Sequence, residues 1–270
     1  MAIATTSNQE KHVNVKKIFK PKSAPTSFSA GFVFAANACL IVCLSTSIVA
    51  NASEPNNMNQ FMTDGVLISR EDPSLAIDVA DEFEFVGRHP FTIRDVAAGE
   101  RFVFVQAEDR QIQKLLIVQF EGFLPGVNDF YRYDLSGKPM VANYQFRSNG
   151  YAFNIVENII ANPKSESAAT YPFLKSKAYS VPDELMMWRS LTVADEAHHK
   201  EMIIFYMEDV KSAGLTLADL YVDDSETDVW INIQKDLEFR ANDAFRITEL
   251  DDSSRPVQSG WSSIPNQFMK

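Results

Sequence analysis

Residues able to do proton or metal chemistry concentrate in one short stretch. Asp195-Glu196-Ala197-His198 is followed by His199 and Glu201, and the apolar run after it begins at Met202. Glu196 beside His198 supplies a carboxylate and an imidazole, the pair a hydrolase uses to move a proton near neutral pH. His89, isolated in sequence and followed by Pro90, is a second candidate general base for an envelope hydrolase. His198, His199, Glu201 and Met202, with Met186, Met187 and Met207 nearby in sequence, also offer imidazole and thioether ligands. Such a set suits Cu(I) where no cysteine competes.

Each of these readings has a plainer rival that carries more weight. Methionine fills irregular gaps in cores, and adjacent histidines on an acidic turn are ordinarily solvated. The letters Asp195 to His198 match a nucleotide-hydrolysis box, but such a box works opposite a glycine-rich phosphate loop. None of the ten glycines begins one, since Gly137-Lys138 runs straight into Pro139. The His-Glu-x-x-His helix of a zinc hydrolase is absent, as is a Gly-x-Ser-x-Gly elbow. The acidic run Asp223, Asp224, Glu226 and Asp228 lacks the spacing of a calcium loop and reads as the acid-rich start of a helix. No catalytic or metal residue is therefore assigned, no cofactor is expected, and the balance tilts away from an enzyme.

Of the elements that must position these residues, the N-terminal part reads as an export signal. Five lysines and one glutamate precede an apolar run from Gly31 to Ala50, and Ala50-Asn51-Ala52 supplies the small residues of a cleavage site. Cleavage is expected after Ala52; the run is also long enough to span a bilayer, so an uncleaved anchor is the alternative. Removing residues 1–52 takes five of the 25 basic residues and one of the 36 acidic ones, leaving 20 against 35, or net −15. Such a surface repels phosphate backbones, and no nucleic acid partner is expected. Contact with a membrane is expected only through an uncleaved signal. Both cysteines lie within the signal, so the exported part, periplasmic or extracellular, stands on a hydrophobic core without disulfides.

Residues 53–81 read as a flexible arm, residues 82–250 as one α+β domain, and residues 251–270 as a tail. The central signal is two greasy strands, Arg101 to Ala107 and Ile112 to Glu121, turned at Glu108 to Arg110. Phe102 to Val105 and Leu115 to Val118 are apolar without alternation, which requires cover on both faces. Phe130 to Leu135 reads as a short aromatic strand. Met140 to Arg147 alternates and is followed by Asn149-Gly150, predicting a hairpin whose return strand is Tyr151 to Val156. Pro163 to Ser180 reads as a long loop. Leu191 to Val193 and Met202 to Met207 suit a second buried pair turned at Asp195 to Lys200. Trp230, Ile233, Leu237, Ala241 and Ala244 mark one apolar helix face, ending near Phe245.

The fold class expected is α+β: a mainly antiparallel sheet of about seven or eight strands with a C-terminal helix packed on it. Twenty Phe, eight Tyr and three Trp could line a cavity between that helix and the sheet. The function expected first is non-enzymatic binding of a small apolar or aromatic ligand. An envelope hydrolase around His89 or His198 comes second, and an envelope protein-interaction module third.

Overall fold

The computed structural model describes residues 59–250, so the export signal, the first part of the arm and the tail lie outside the described residues. Strands run in the order β1 (Gln60–Thr63), β2 (Val66–Ser69), β3 (Leu75–Val79), β4 (Glu84–Ile93), β5 (Ala97–Glu108) and β6 (Gln111–Phe123). After a stretch without regular structure come β7 (Met140–Val141), β8 (Tyr144–Gln145) and β9 (Arg147–Asn154), then helices α1 (Ile155–Ala161) and α2 (Glu166–Ser176). The chain continues through β10 (Glu184–Val193), β11 (Lys200–Asp209), α3 (Leu217–Leu220), β12 (Tyr221–Val222), β13 (Ser225–Glu226), α4 (Asp228–Asp243) and β14 (Phe245–Glu249). The architecture is α+β and mostly antiparallel sheet.

The central sheet has six strands in the order β4-β5-β6-β11-β10-β9, every neighbour antiparallel. A second sheet has the order β1-β2-β3-β14. Because side chains alternate across a strand, the central sheet presents two apolar faces. Phe102, Phe104, Leu116, Val118, Trp188, Ile204 and Tyr206 point to one, where Leu67, Leu75, Ile77 and Ile247 of the second sheet and Trp230, Leu237 and Ala241 of α4 cover them. Val103, Val105, Leu115, Ile117, Met187 and Phe205 point to the other, under Ile155 of α1, Leu174 of α2, and Tyr179 and Val181. Three layers result, and the continuous apolar strands are explained by cover on both sides.

The two hairpins at the centre follow the sequence closely. Asp109 and Arg110 take positive φ values of 48° and 64° and close β5 onto β6 with a two-residue turn. Between β10 and β11, Asp195 Oδ1 accepts from the Lys200 amide at 2.8 Å, so the Asp195 to Lys200 segment is a hairpin turn, not helix.

Five expectations are corrected. Residues 60–79 of the expected arm form β1, β2 and β3, and Leu67, Leu75 and Ile77 are fully buried; their polar flanks hid a sheet that β14 completes from far along the chain. The turn expected at Asn149-Gly150 lies instead at Ala142-Asn143, with φ 47° and 66°, and β9 runs straight through Gly150. That placement buries Val141 and Phe146 in the core. Gly150 serves a close approach: a Cβ there would stand 3.1 Å from both Gln234 of α4 and the Trp188 ring. The 163–180 loop contains α2, capped by Ser165 Oγ accepting from the Ala168 amide, and Pro172 sits inside the helix. Phe130 to Leu135 has no regular structure and pairs with no strand. Fourteen strands occur among the described residues, against the seven or eight expected, because the arm and several two-residue pairs add to the count.

Candidate functional site

Few of the residues singled out in the sequence meet. Glu196, His198 and His199 are exposed on the β10–β11 turn, where the His198 ring contacts the Tyr131 carbonyl through Nδ1 at 3.2 Å. Glu201 and Met202 are consecutive on β11 and therefore face opposite sides of the sheet, Met202 entering the core beneath the second sheet. The copper ligands thus diverge, and among the described residues no group of three or more His, Cys, Asp or Glu side chains could hold a metal. His89 is buried under α2, its ring 4.7 Å from that of Phe173 and its Nδ1 3.1 Å from the Pro90 carbonyl. Its strand partner is Arg101, not a carboxylate, and burial together with that cation holds the imidazole below its ordinary value.

What the fold does assemble is a buried polar chain that runs across the α1–α2 face of the central sheet. Arg101, 3 % exposed, donates through Nε to Gln119 Oε1 at 2.6 Å and through one terminal nitrogen to Thr170 Oγ1 of α2 at 2.7 Å. Its other terminal nitrogen lies 3.6 Å from Glu166 at the start of α2. The Phe91 and Phe205 rings lie 5.6 and 4.9 Å from the guanidinium. Burial pushes Arg101 down to about 10, against the pull of Glu166 and Glu121. Gln119 donates onward to Glu121, and Glu121 accepts from the Tyr131 hydroxyl at 2.7 Å.

Glu121 stands directly opposite Glu201 in the β6–β11 register, and both are buried. Two carboxylates side by side in a dry place cannot both ionise cheaply, so one holds a proton. Burial first, then the Glu121 charge and its hydrogen bond, push Glu201 up to about 9, while Tyr133 and Arg189 pull the other way. Glu201 Oε2 has no partner, a smaller cost for a neutral acid than for a carboxylate. The same burial and the neighbouring glutamates raise the Tyr131 and Tyr133 hydroxyls well above the usual phenol range, leaving both as hydrogen-bond donors. The rings of Phe123, Tyr131 and Tyr133 stack in succession, with centroids 4.7 and 6.0 Å apart. Strand alternation was the signal that could have revealed this cluster, but an isolated glutamate on a strand looks solvent-facing until register sets another beside it.

The space beneath α4 is filled: Trp230 and Leu237 are 0 % exposed, and Ala241 and Ala244 are nearly so. Open space lies elsewhere. A cleft of about 520 Å³ separates the end of β4 and its turn from the start of α2. Its apolar lining is Phe91, Pro90, Pro163, Ala168 and Ala169, and its polar lining is Thr92, Arg94, Asp95, Lys164 and Ser165. Lys164 pairs with Asp95 across the rim at 2.7 Å, and the Arg94 amide donates to the Lys164 carbonyl at 3.4 Å. A second cleft, about 420 Å³, is lined mainly by polar residues, among them Gln111, Gln113, Ser180, Asp183 and Asp209.

Fold and site together define an α+β protein with a buried acid–tyrosine cluster on one face of its central sheet and an amphipathic cleft at the start of α2. No family model, curated protein or solved structure matches the chain. Among the described residues, no helix is long and apolar enough to cross a membrane.

Proposed function

We propose that this is an exported, non-enzymatic binding protein that takes a small apolar or aromatic ligand in the cleft between the end of β4 and the start of α2. One observation carries the reading: a cleft of about 520 Å³ whose apolar lining includes the Phe91 ring, two prolines and two alanines, with polar groups at Thr92, Arg94 and Ser165 to orient a ligand. That volume falls within the range of small-molecule sites. The location differs from the one expected beneath the C-terminal helix, where large side chains occupy the space. The hydrolase reading loses support because neither His89 nor His198 is bonded to a carboxylate. Export rests on the composition of residues 1–52 and is part of the same proposal.

The test is native mass spectrometry of protein purified from the envelope, followed by binding measurements with small aromatic probes such as indole and benzoate. A bound small molecule, or probe binding weakened about tenfold or more by Ala169→Trp, which fills the cleft, supports the reading. Probe binding that ignores this substitution, or no binding at all, removes it. An interaction module is the second reading, favoured by Val156 and Ile160, 39 % and 75 % exposed one turn apart on α1.

A further inference from the structure

We propose that residues 124–139 form a lid whose latch is the Glu121–Glu201 acid pair, closed while the two carboxyl groups share a proton and released when both ionise. The segment contains no helix and no strand, although it spans the distance between β6 and β7. Its middle is fastened to the sheet through Tyr131 and Tyr133. The Tyr131 hydroxyl donates to Glu121 at 2.7 Å, the Tyr131 amide donates to the His198 carbonyl at 2.8 Å, and the Tyr133 hydroxyl lies beside Glu201, whose charge it feels. Arg132, between Tyr131 and Tyr133, and Asp134, just after them, are exposed. A strap held at two adjacent points on one proton-sharing pair comes away as a unit when that pair changes state.

The charged and titratable groups around the pair decide the direction. Arg189 of β10 attracts the Glu201 charge, and Arg101 of β5 reaches Glu121 through Gln119, itself balanced by Glu166 of α2. Tyr151 of β9 lies beside Arg189, at 5.6 Å from ring centre to guanidinium. His198 touches the lid by its ring as well as its carbonyl. With Glu201 protonated, the pair carries a single negative charge, and Glu121 still accepts the Tyr131 hydroxyl. Once that proton leaves, two buried negative charges face each other, and water must enter to solvate them. Lifting the lid is the shortest route for that water. The inference does not depend on the cleft at α2.

The experiment is limited trypsin digestion of the full chain from about pH 6 to about pH 9.5, scoring cleavage after Arg132 and normalising to a free peptide spanning residues 124–139. In wild type the normalised rate rises, approaching about tenfold per pH unit within the window where Glu201 loses its proton. Glu201→Gln, which keeps a neutral donor at the same place, holds the rate near its low-pH value throughout. Tyr131→Phe with Tyr133→Phe, which leaves the rings stacked, makes cleavage fast at neutral pH. His198→Gln leaves the pH response in place. A wild-type rate that follows the peptide at every pH, or a response that survives in Glu201→Gln or disappears in His198→Gln, overturns the proposal.

Discussion

Glu121 on β6 and Glu201 on β11 are direct cross-strand partners, buried side by side on the α1–α2 face of the central sheet. Like charges directly opposite on neighbouring strands are destabilising, and burial magnifies the effect. Glu201 is raised from the ordinary carboxyl value to about 9, so between those two values the folded chain holds a proton that the unfolded chain has lost. Stability is therefore fully present below the ordinary carboxyl range, falls as pH climbs through the window, and levels off above about 9. Denaturant unfolding at a series of pH values is expected to show a decline of up to about 1.4 kcal/mol per pH unit, and Glu201→Gln is expected to flatten it. A Gln variant with the wild-type slope would place the titrating group elsewhere.

Arg101 is the pin between α2 and the central sheet, because Gln119 and Thr170 depend on its N–H groups and Glu166 on its charge. Arg101→Ala strands the buried Gln119 amide oxygen and leaves the Thr170 hydroxyl with only its bond to the Glu166 carbonyl. A loss of about 3–5 kcal/mol is expected in equilibrium unfolding, against about 1 kcal/mol for Thr170→Val. Equal losses from the two would mean that the guanidinium is not the organising group.

Two glycines differ in what surrounds them. A Cβ on Gly99 would stand 2.1 Å from the Phe120 carbonyl oxygen and 2.8 Å from Phe91, so backbone must move. At Gly150 the nearest atoms are 3.1 Å away, in the Gln234 and Trp188 side chains, and the Gln234 chain can shift. Gly99→Ala is expected to cost about 3 kcal/mol or more and Gly150→Ala about 1 kcal/mol, read from shifts of the urea midpoint.

On the opposite face, Arg240 of α4 makes a two-pronged bond to Glu208 of β11, at 2.7 and 2.9 Å, and the Tyr206 hydroxyl also donates to that carboxylate. Glu208 is nearly buried, whereas the Arg240 side chain is 38 % exposed, so solvent screens part of the pair. Arg240→Ala is expected to cost about 1–3 kcal/mol, with part recovered in the double variant carrying Glu208→Gln. A double variant worse than the sum of the singles would contradict a buried carboxylate left without its cation.

The hairpin from Arg101 to Glu121 was legible because two uninterrupted apolar runs flank a short polar turn, a pattern that needs only neighbouring residues to be understood. The β10–β11 pair was legible for the same reason. Asn149-Gly150 misled because the preference of that dipeptide for a tight turn is local, whereas Gly150 is demanded by the approach of α4 and the Trp188 ring. Helix α2 was hidden by Pro172 and a run of small polar residues, and its attachment comes from Arg101, more than sixty positions earlier.

Composition and local apolar pattern settle that this chain builds a mostly antiparallel sheet with both faces covered, since burial of Val, Ile and Phe is a property each segment carries alone. Which glutamate lies beside which, what the tyrosines of residues 124–139 bond to, and where open space remains were decided by register between strands distant along the chain. Strand pairing brings together residues that no local preference links, and a shift of one position would have sent Glu121 or Glu201 to the opposite face.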